Sequence, residues 1–135
     1  MSEPIIFDTS VLVDELRTGR HRQRIASVSG LIRLSSVVLA ELARGVRSTA
    51  ERKFLQALAR NRTILTPTEK NWLESGELLA EMRSNLGFKA EKLRELHFDL
   101  LIALTARSHG ARVIASNRAD FELIRRYRKV ELEIW

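Results

Sequence analysis

The sequence contains no cysteine, which excludes disulfides, thiolate metal sites and a cysteine nucleophile, and fits a reducing compartment. Long apolar runs are missing too. None approaches the ~18 residues of a membrane span, and the opening residues lack the basic region, apolar core and small-residue cleavage site of a secretory leader. A soluble, cytoplasmic chain without membrane contact is expected. The three histidines, His21, His97 and His109, do not stand at the spacing of a ligand pair, so nothing points to zinc and none is assigned a catalytic role. Aspartate is scarce: only Asp8, Asp14, Asp99 and Asp120 occur.

What is present suits one ordinary domain. At 135 residues and 44% hydrophobic content, the chain can bury a single core, and no repeat, low-complexity tract or linker divides residues 1–135. The net charge of +6 and the isoelectric point near 10.5 come mainly from arginine, whose planar fork suits phosphate and makes nucleic acid the natural partner. The excess is uneven. Between Glu69 and Glu95, six acids outnumber five bases, whereas 17–24, 44–53, 60–62 and 125–129 are strongly basic. A solvated surface that keeps a small protein soluble explains any one of these clusters equally well.

Hydrophobic patterning alternates strands with helices. Pro4–Phe7 reads as a buried strand, followed by a helix capped by Thr9 or Ser10. A short helix over 20–29 closes at Gly30, read as a positive-φ helix end, and Leu31–Leu34 is a strand. Ser35 or Ser36 caps a helix over Val37–Arg47 with almost no polar face except Glu41. Further helices are expected over Thr49–Arg60 and Glu69–Leu86, with a strand at Ile64–Leu65 between them. The second of these helices has Trp72, Leu73, Leu78, Leu79 and Met82 as its apolar positions, Trp72 serving the core or a subunit contact rather than base stacking. Lys89–Glu95 reads as a charged loop or helical turn before a buried helix that carries Asp99 near its start and ends at Gly110. A strand over 112–116, a turn from Asn117 into a short helix and an edge strand over 130–135 complete the chain. The order predicts a three-layer α/β/α fold with a mostly parallel sheet.

Asp8, Asp99 and Asp120 fall beside strand ends or at the start of an apolar helix, and Glu41 is a fourth acid in apolar company. Each has a dull explanation alone. Asp8 and Asp120 can cap helices, Asp99 can favour a helix dipole, and Glu41 can pair with a buried arginine. Together they carry more, because right-handed crossovers bring the carboxyl ends of parallel strands to one edge. Carboxylates converging there repel one another, and a divalent ion relieves the repulsion; all-oxygen ligation suits Mg²⁺ or Mn²⁺. Such an ion can activate water and stabilise charge on a phosphodiester. Asp14 reads as a surface residue paired with Arg17, Arg44 and Arg47 as phosphate contacts or solvated face, and Gly45 as a point of close approach.

FDTSVLVD at the start, SSVVLAELARG around Glu41, HFDLLIALTARSHG around Asp99 and ASNRADF near the end match, in order and spacing, the PIN-domain nucleases. Within that family the chain resembles the VapC-like toxins of bacterial toxin–antitoxin pairs. The resemblance implies a PIN-like fold and a metal-dependent endoribonuclease, with Asp8, Glu41 and Asp99 as metal-site carboxylates and Asn117 with Asp120 completing the site. Thr9 or Ser10 would hold the first aspartate or a phosphate, with Ser116 nearby. It also implies a cognate antitoxin and a homodimer, for which the near-neutral helices around 72–88 are the expected contact. Where similar proteins often end the strand before the last acid in threonine, this chain has Ala115 and Ser116; family members differ in whether the fourth acid stands at the position of Asn117 or of Asp120. Rival readings are a non-catalytic RNA-binding scaffold, a housekeeping RNA-processing nuclease, and an aspartate-nucleophile phosphoryl-transfer enzyme. The last is disfavoured because Ser10 stands where a phosphatase has its second aspartate.

Overall fold

The computed structural model describes residues 3–135. Five strands, β1 (Pro4–Phe7), β2 (Leu31–Ser35), β3 (Ile64–Leu65), β4 (Arg112–Ala115) and β5 (Glu131–Ile134), form one sheet in the order β3-β2-β1-β4-β5. Every pairing is parallel, with Ile5 opposite Ile32 and Phe7 opposite Ile114. Seven helices accompany the sheet in a three-layer α/β/α arrangement: α1 (Thr9–Thr18), α2 (Arg22–Ser27), α3 (Ser36–Arg44), α4 (Thr49–Ala59), α5 (Glu69–Leu86), α6 (Ala90–Ser108) and α7 (Arg118–Tyr127). Ile5, Ile6, Val113 and Ile114 are fully buried, as continuous apolar strands of a parallel sheet covered on both faces must be. Among the described residues no helix is long and apolar enough to cross a membrane.

The chain leaves β1 toward β2 and β3, then returns to place β4 on the other side of β1. The strand order therefore reverses between β1 and β4, where open α/β sheets offer a crevice beyond their carboxyl ends. Asp8 follows β1 into that crevice, and Ser116 and Asn117 follow β4.

Several local expectations are corrected. The cap of α1 is Asp8 itself, in extended conformation and accepting from the Ser10 amide; Thr9 and Ser10 already lie inside the helix. Helix α2 stops at Ser27, and Gly30 is not in the left-handed region. It is needed for space: a Cβ there would stand 2.4 Å from Ile5 Cδ1 and 2.7 Å from the Glu3 carbonyl oxygen. Helix α3 ends at Arg44, short of Arg47, because Ser48 caps α4 and Glu51 Oε1 accepts from the Arg47 amide at 2.8 Å. Gly45 faces only ordinary contacts, so no close approach demands it.

The inward face of α5 is Asn71, Ser75, Leu78 and Met82, whereas Trp72 and Leu73 are 49% and 64% exposed. The polar pair turns inward because it has partners there: Asn71 Nδ2 donates to Ser108 Oγ at 3.0 Å, and Ser75 Oγ lies 3.2 Å from His97 Nε2. Lys89–Glu95 is not a separate turn. From Ala90 it is the first part of α6, whose apolar positions Leu93, Leu96 and Leu100 run on at helical spacing into the buried half. Asp14 pairs with Arg20 and His21, not Arg17.

Candidate functional site

An open cleft of about 800 Å³ at the carboxyl edge of the sheet gathers Asp8, Glu41, Asp99, Asn117 and Asp120 with Thr9 and Ser10. Four different elements deliver the acids. Asp8 comes from the β1–α1 junction, Glu41 from the second turn of α3, Asp99 from the middle of α6 and Asp120 from the first turn of α7. Ser116 stands just behind. Its amide donates to Ser10 Oγ at 3.0 Å, tying β4 to the start of α1, while its own hydroxyl is buried without a partner.

The dull explanations fail for three acids and hold in part for the fourth. Asp99 is ten residues into α6, too far from the helix start to serve its dipole. No buried arginine meets Glu41; its Oε1 accepts from the Thr9 hydroxyl at 2.7 Å. Asp120 does not cap α7, whose N-cap is Asn117; it accepts from Lys92 Nζ at 2.8 Å and from Asn117 Nδ2 at 3.0 Å. Asp8 does cap α1, but only through Oδ2, which accepts from Ser10 Oγ at 2.6 Å and the Ser10 amide at 3.1 Å. Its Oδ1 is buried with no hydrogen-bond partner, in a residue 2% exposed.

Electrostatics reflect the crowding. Burial, then the charges of Asp8, Asp120 and Glu41, push the Asp99 carboxyl up to about 8, against the pull of Lys92. Burial likewise raises Asp8, with Ser10 hydrogen bonds opposing, and Glu41, where the Thr9 hydroxyl opposes and the Asp8 charge adds. The hydrogen bond to Asp120 holds the Lys92 ammonium above its ordinary range.

The donor set is oxygen only, with one buried carboxylate oxygen lacking any donor, which fits a hard divalent ion. Among the described residues no three acidic or histidine side chains already close to the spacing of a cage.

The same cleft holds residues that patterning did not single out, Arg94, Glu95, His97 and Phe98, and Lys92 reaches its Asp120 from outside the lining. Reading α6 from Ala90 would have found two of them, since Lys92 and Glu95 precede Asp99 by seven and four residues and so share its face. Arg44 lines the cleft with its guanidinium 5.6 Å from the Phe98 ring centre, whereas Arg47 is not among the lining residues.

Fold and cleft together define an α/β protein with a carboxylate site at the switch point of a parallel sheet. The sequence matches the family model described as PIN domain over residues 5–127, and the chain belongs to the PIN domain family. Solved structures share the fold. DNA-bound VapBC from Salmonella typhimurium superposes with a TM-score of 0.70 at 22% identity, over 100% of this chain and 99% of the other. VapBC2 from Rickettsia felis, bound to a promoter DNA fragment, gives 0.70 at 22% identity over 98% of each chain. VapBC-5 from Mycobacterium tuberculosis, of the VapBC family of toxin–antitoxin systems, gives 0.60 at 21% identity over 97% of this chain and 96% of the other. No curated protein matches the sequence.

Proposed function

We propose that the chain is a divalent-cation-dependent endoribonuclease and the toxin of a toxin–antitoxin pair. One observation carries the nuclease reading: Asp8, Glu41 and Asp99 meet in one cleft, with an Asp8 oxygen buried and unpaired. Family membership supports it, since PIN-domain nucleases are hydrolases acting on nucleic acids.

In this reading Asp8, Glu41 and Asp99 hold the ion, Mg²⁺ or Mn²⁺, while Asn117 and Asp120 close the fourth side. The bound cation supplies positive charge for the phosphodiester and acidifies a water. Ser10 fixes the Asp8 carboxylate and clasps β4, and Thr9 orients Glu41. Arg44 and Arg94, both exposed on the cleft lining, contact the backbone phosphates of the substrate. Hydrolysis adds the water oxygen to phosphorus and breaks the opposite P–O ester bond, a cleft carboxylate taking the water's proton and the departing oxygen taking one up from solvent to leave as the alcohol. The basic, arginine-rich balance supports an RNA substrate.

The antitoxin rests on the likeness in fold to chains solved as VapBC complexes. A homodimer is supported by the exposed Trp72, Leu73 and Leu86 on α5. A cytoplasmic site of action follows from the RNA substrate.

The deciding experiment is cleavage of a mixed RNA pool with Mg²⁺, Mn²⁺ or EDTA, beside Asp99→Asn. Cutting that needs metal and disappears with Asp99 is expected. Salt-sensitive RNA binding without cutting in either protein, with no antitoxin copurifying, would replace this reading by a non-catalytic scaffold; an antitoxin gene beside this one separates a toxin from a housekeeping nuclease.

A further inference from the structure

The cleft has five carboxylates: Glu95, 60% exposed at its rim, faces Lys92 Nζ at 3.9 Å, and the oxygens of the other four divide into committed and open ones. Asp120 has none open: Oδ1 accepts from Lys92 Nζ at 2.8 Å and Oδ2 from Asn117 Nδ2 at 3.0 Å. Each of the other three has one. Asp8 commits Oδ2 to Ser10, Glu41 commits Oε1 to Thr9, and Asp99 Oδ2 receives only a long 3.4 Å contact from Asn117 Nδ2. Among the described residues no hydrogen bond reaches Asp8 Oδ1, Glu41 Oε2 or Asp99 Oδ1, and the first of these is buried away from solvent as well.

We infer that the cleft is a one-ion site, in which Lys92 holds Asp120 out of the ligand set and so denies a second divalent ion its carboxylate. This rests on the proposed cation dependence and sharpens it. Two-ion nuclease sites need carboxylates free to bind both ions about 3.5–4 Å apart. Here the carboxylate on the α7 side is already neutralised by a lysine that α6 delivers two turns before Asp99. A second dication at Asp120 would have to displace that ammonium or stand against it, like charge beside like. The long N-terminal part of α6 is what makes this possible, because a helix starting near Asp99 would have no residue to reach across to α7.

The test counts Mn²⁺ bound by the purified full-length chain, using paramagnetic resonance of the free ion and calorimetry, with melting curves to confirm folding. Wild type is expected to bind one ion, Lys92→Met two, and Lys92→Met with Asp120→Asn one again. Asp120→Asn alone keeps one ion. Two ions in wild type, an unchanged count of one in Lys92→Met, or loss of the ion in Asp120→Asn overturns the inference while leaving the nuclease reading standing. Failure of wild type to bind any Mn²⁺ overturns both.

Discussion

The carboxylate cleft and the apolar groove beside it both contain acids without partners, for different reasons. The groove, about 480 Å³, lies between α1, α2 and α4 and is walled by Phe7, Leu12, Leu16, Ile25, Phe54 and Leu58. Both carboxyl oxygens of Glu15 are buried there with no hydrogen bond. One helix serves both regions: the start of α1 supplies Thr9 and Ser10 to the cleft, and its next turns supply Leu12, Glu15 and Leu16 to the groove. Glu15 has no second carboxylate beside it in the groove, so its unmet bonds are a local cost. In the cleft, the charges of Asp8, Glu41 and Asp120 add to burial in raising Asp99, and only there does the unmet charge become a property of the site. Convergence, rather than burial of a single acid, is what marks an ion site.

The largest effect expected is on Asp99. Asp99→Asn should lower metal-dependent RNA cleavage by about a hundredfold or more, read as kcat/KM on a defined substrate. An unchanged rate would remove the distinction between the two regions.

The same residue governs the pH dependence of stability. Its folded carboxyl titrates near 8 and its unfolded one near the ordinary value of 3.8, so between these the folded state holds a proton that the unfolded chain has released. The contribution is present in full below the unfolded value and lost as pH rises toward 8. Without divalent ions the protein should melt about 5 °C lower at about pH 8 than at about pH 5. Asp99→Asn should flatten that slope, and Mg²⁺ should raise the melting temperature more at the higher pH, where the carboxylate is free to bind.

In the groove the effect is smaller and of one kind. Glu15→Leu should stabilise the chain by about 1 kcal/mol in urea titrations, because the two carboxyl oxygens of a half-buried side chain, without a hydrogen bond although Arg22 and Arg62 line the same groove, give way to apolar carbon, and should leave cleavage untouched. A loss of activity there would tie the groove to the cleft through α1. Smallest of all, Arg44→Met should raise KM by about threefold with kcat unchanged and weaken the salt dependence of RNA binding, as expected for a phosphate contact on an exposed rim.

Much of this was legible in the sequence because the parallel sheet leaves unmistakable apolar runs, such as Pro4–Phe7 and Arg112–Ala115, each with a polar residue where it ends. The acids at those ends, and Glu41 alone on an apolar helix, stood out by contrast. What stayed hidden were pairings that no local pattern encodes. Lys92 looked like one charge in a charged stretch until α6 was seen to start at Ala90. Asn71 and Ser75 turn inward in place of Trp72 because their partners lie on α6, distant in sequence. His21 is 2% exposed through contact with Asp14 and the Trp135 ring, a packing that joins the two ends of the chain. Gly30 was chosen by the side chain of Ile5, not by its own backbone angle.

The clasp between β1 and β4 sets the order in which the molecule can be born. The Asp8 amide donates to the Ile114 carbonyl at 2.8 Å, and the bond from the Ser116 amide to Ser10 Oγ spans 106 positions. β1 leaves the ribosome before β4, and so stays without its second neighbour until the segment around Ile114 has been made. A nascent chain can carry Asp8, Glu41 and Asp99 and still lack the strand that aligns them.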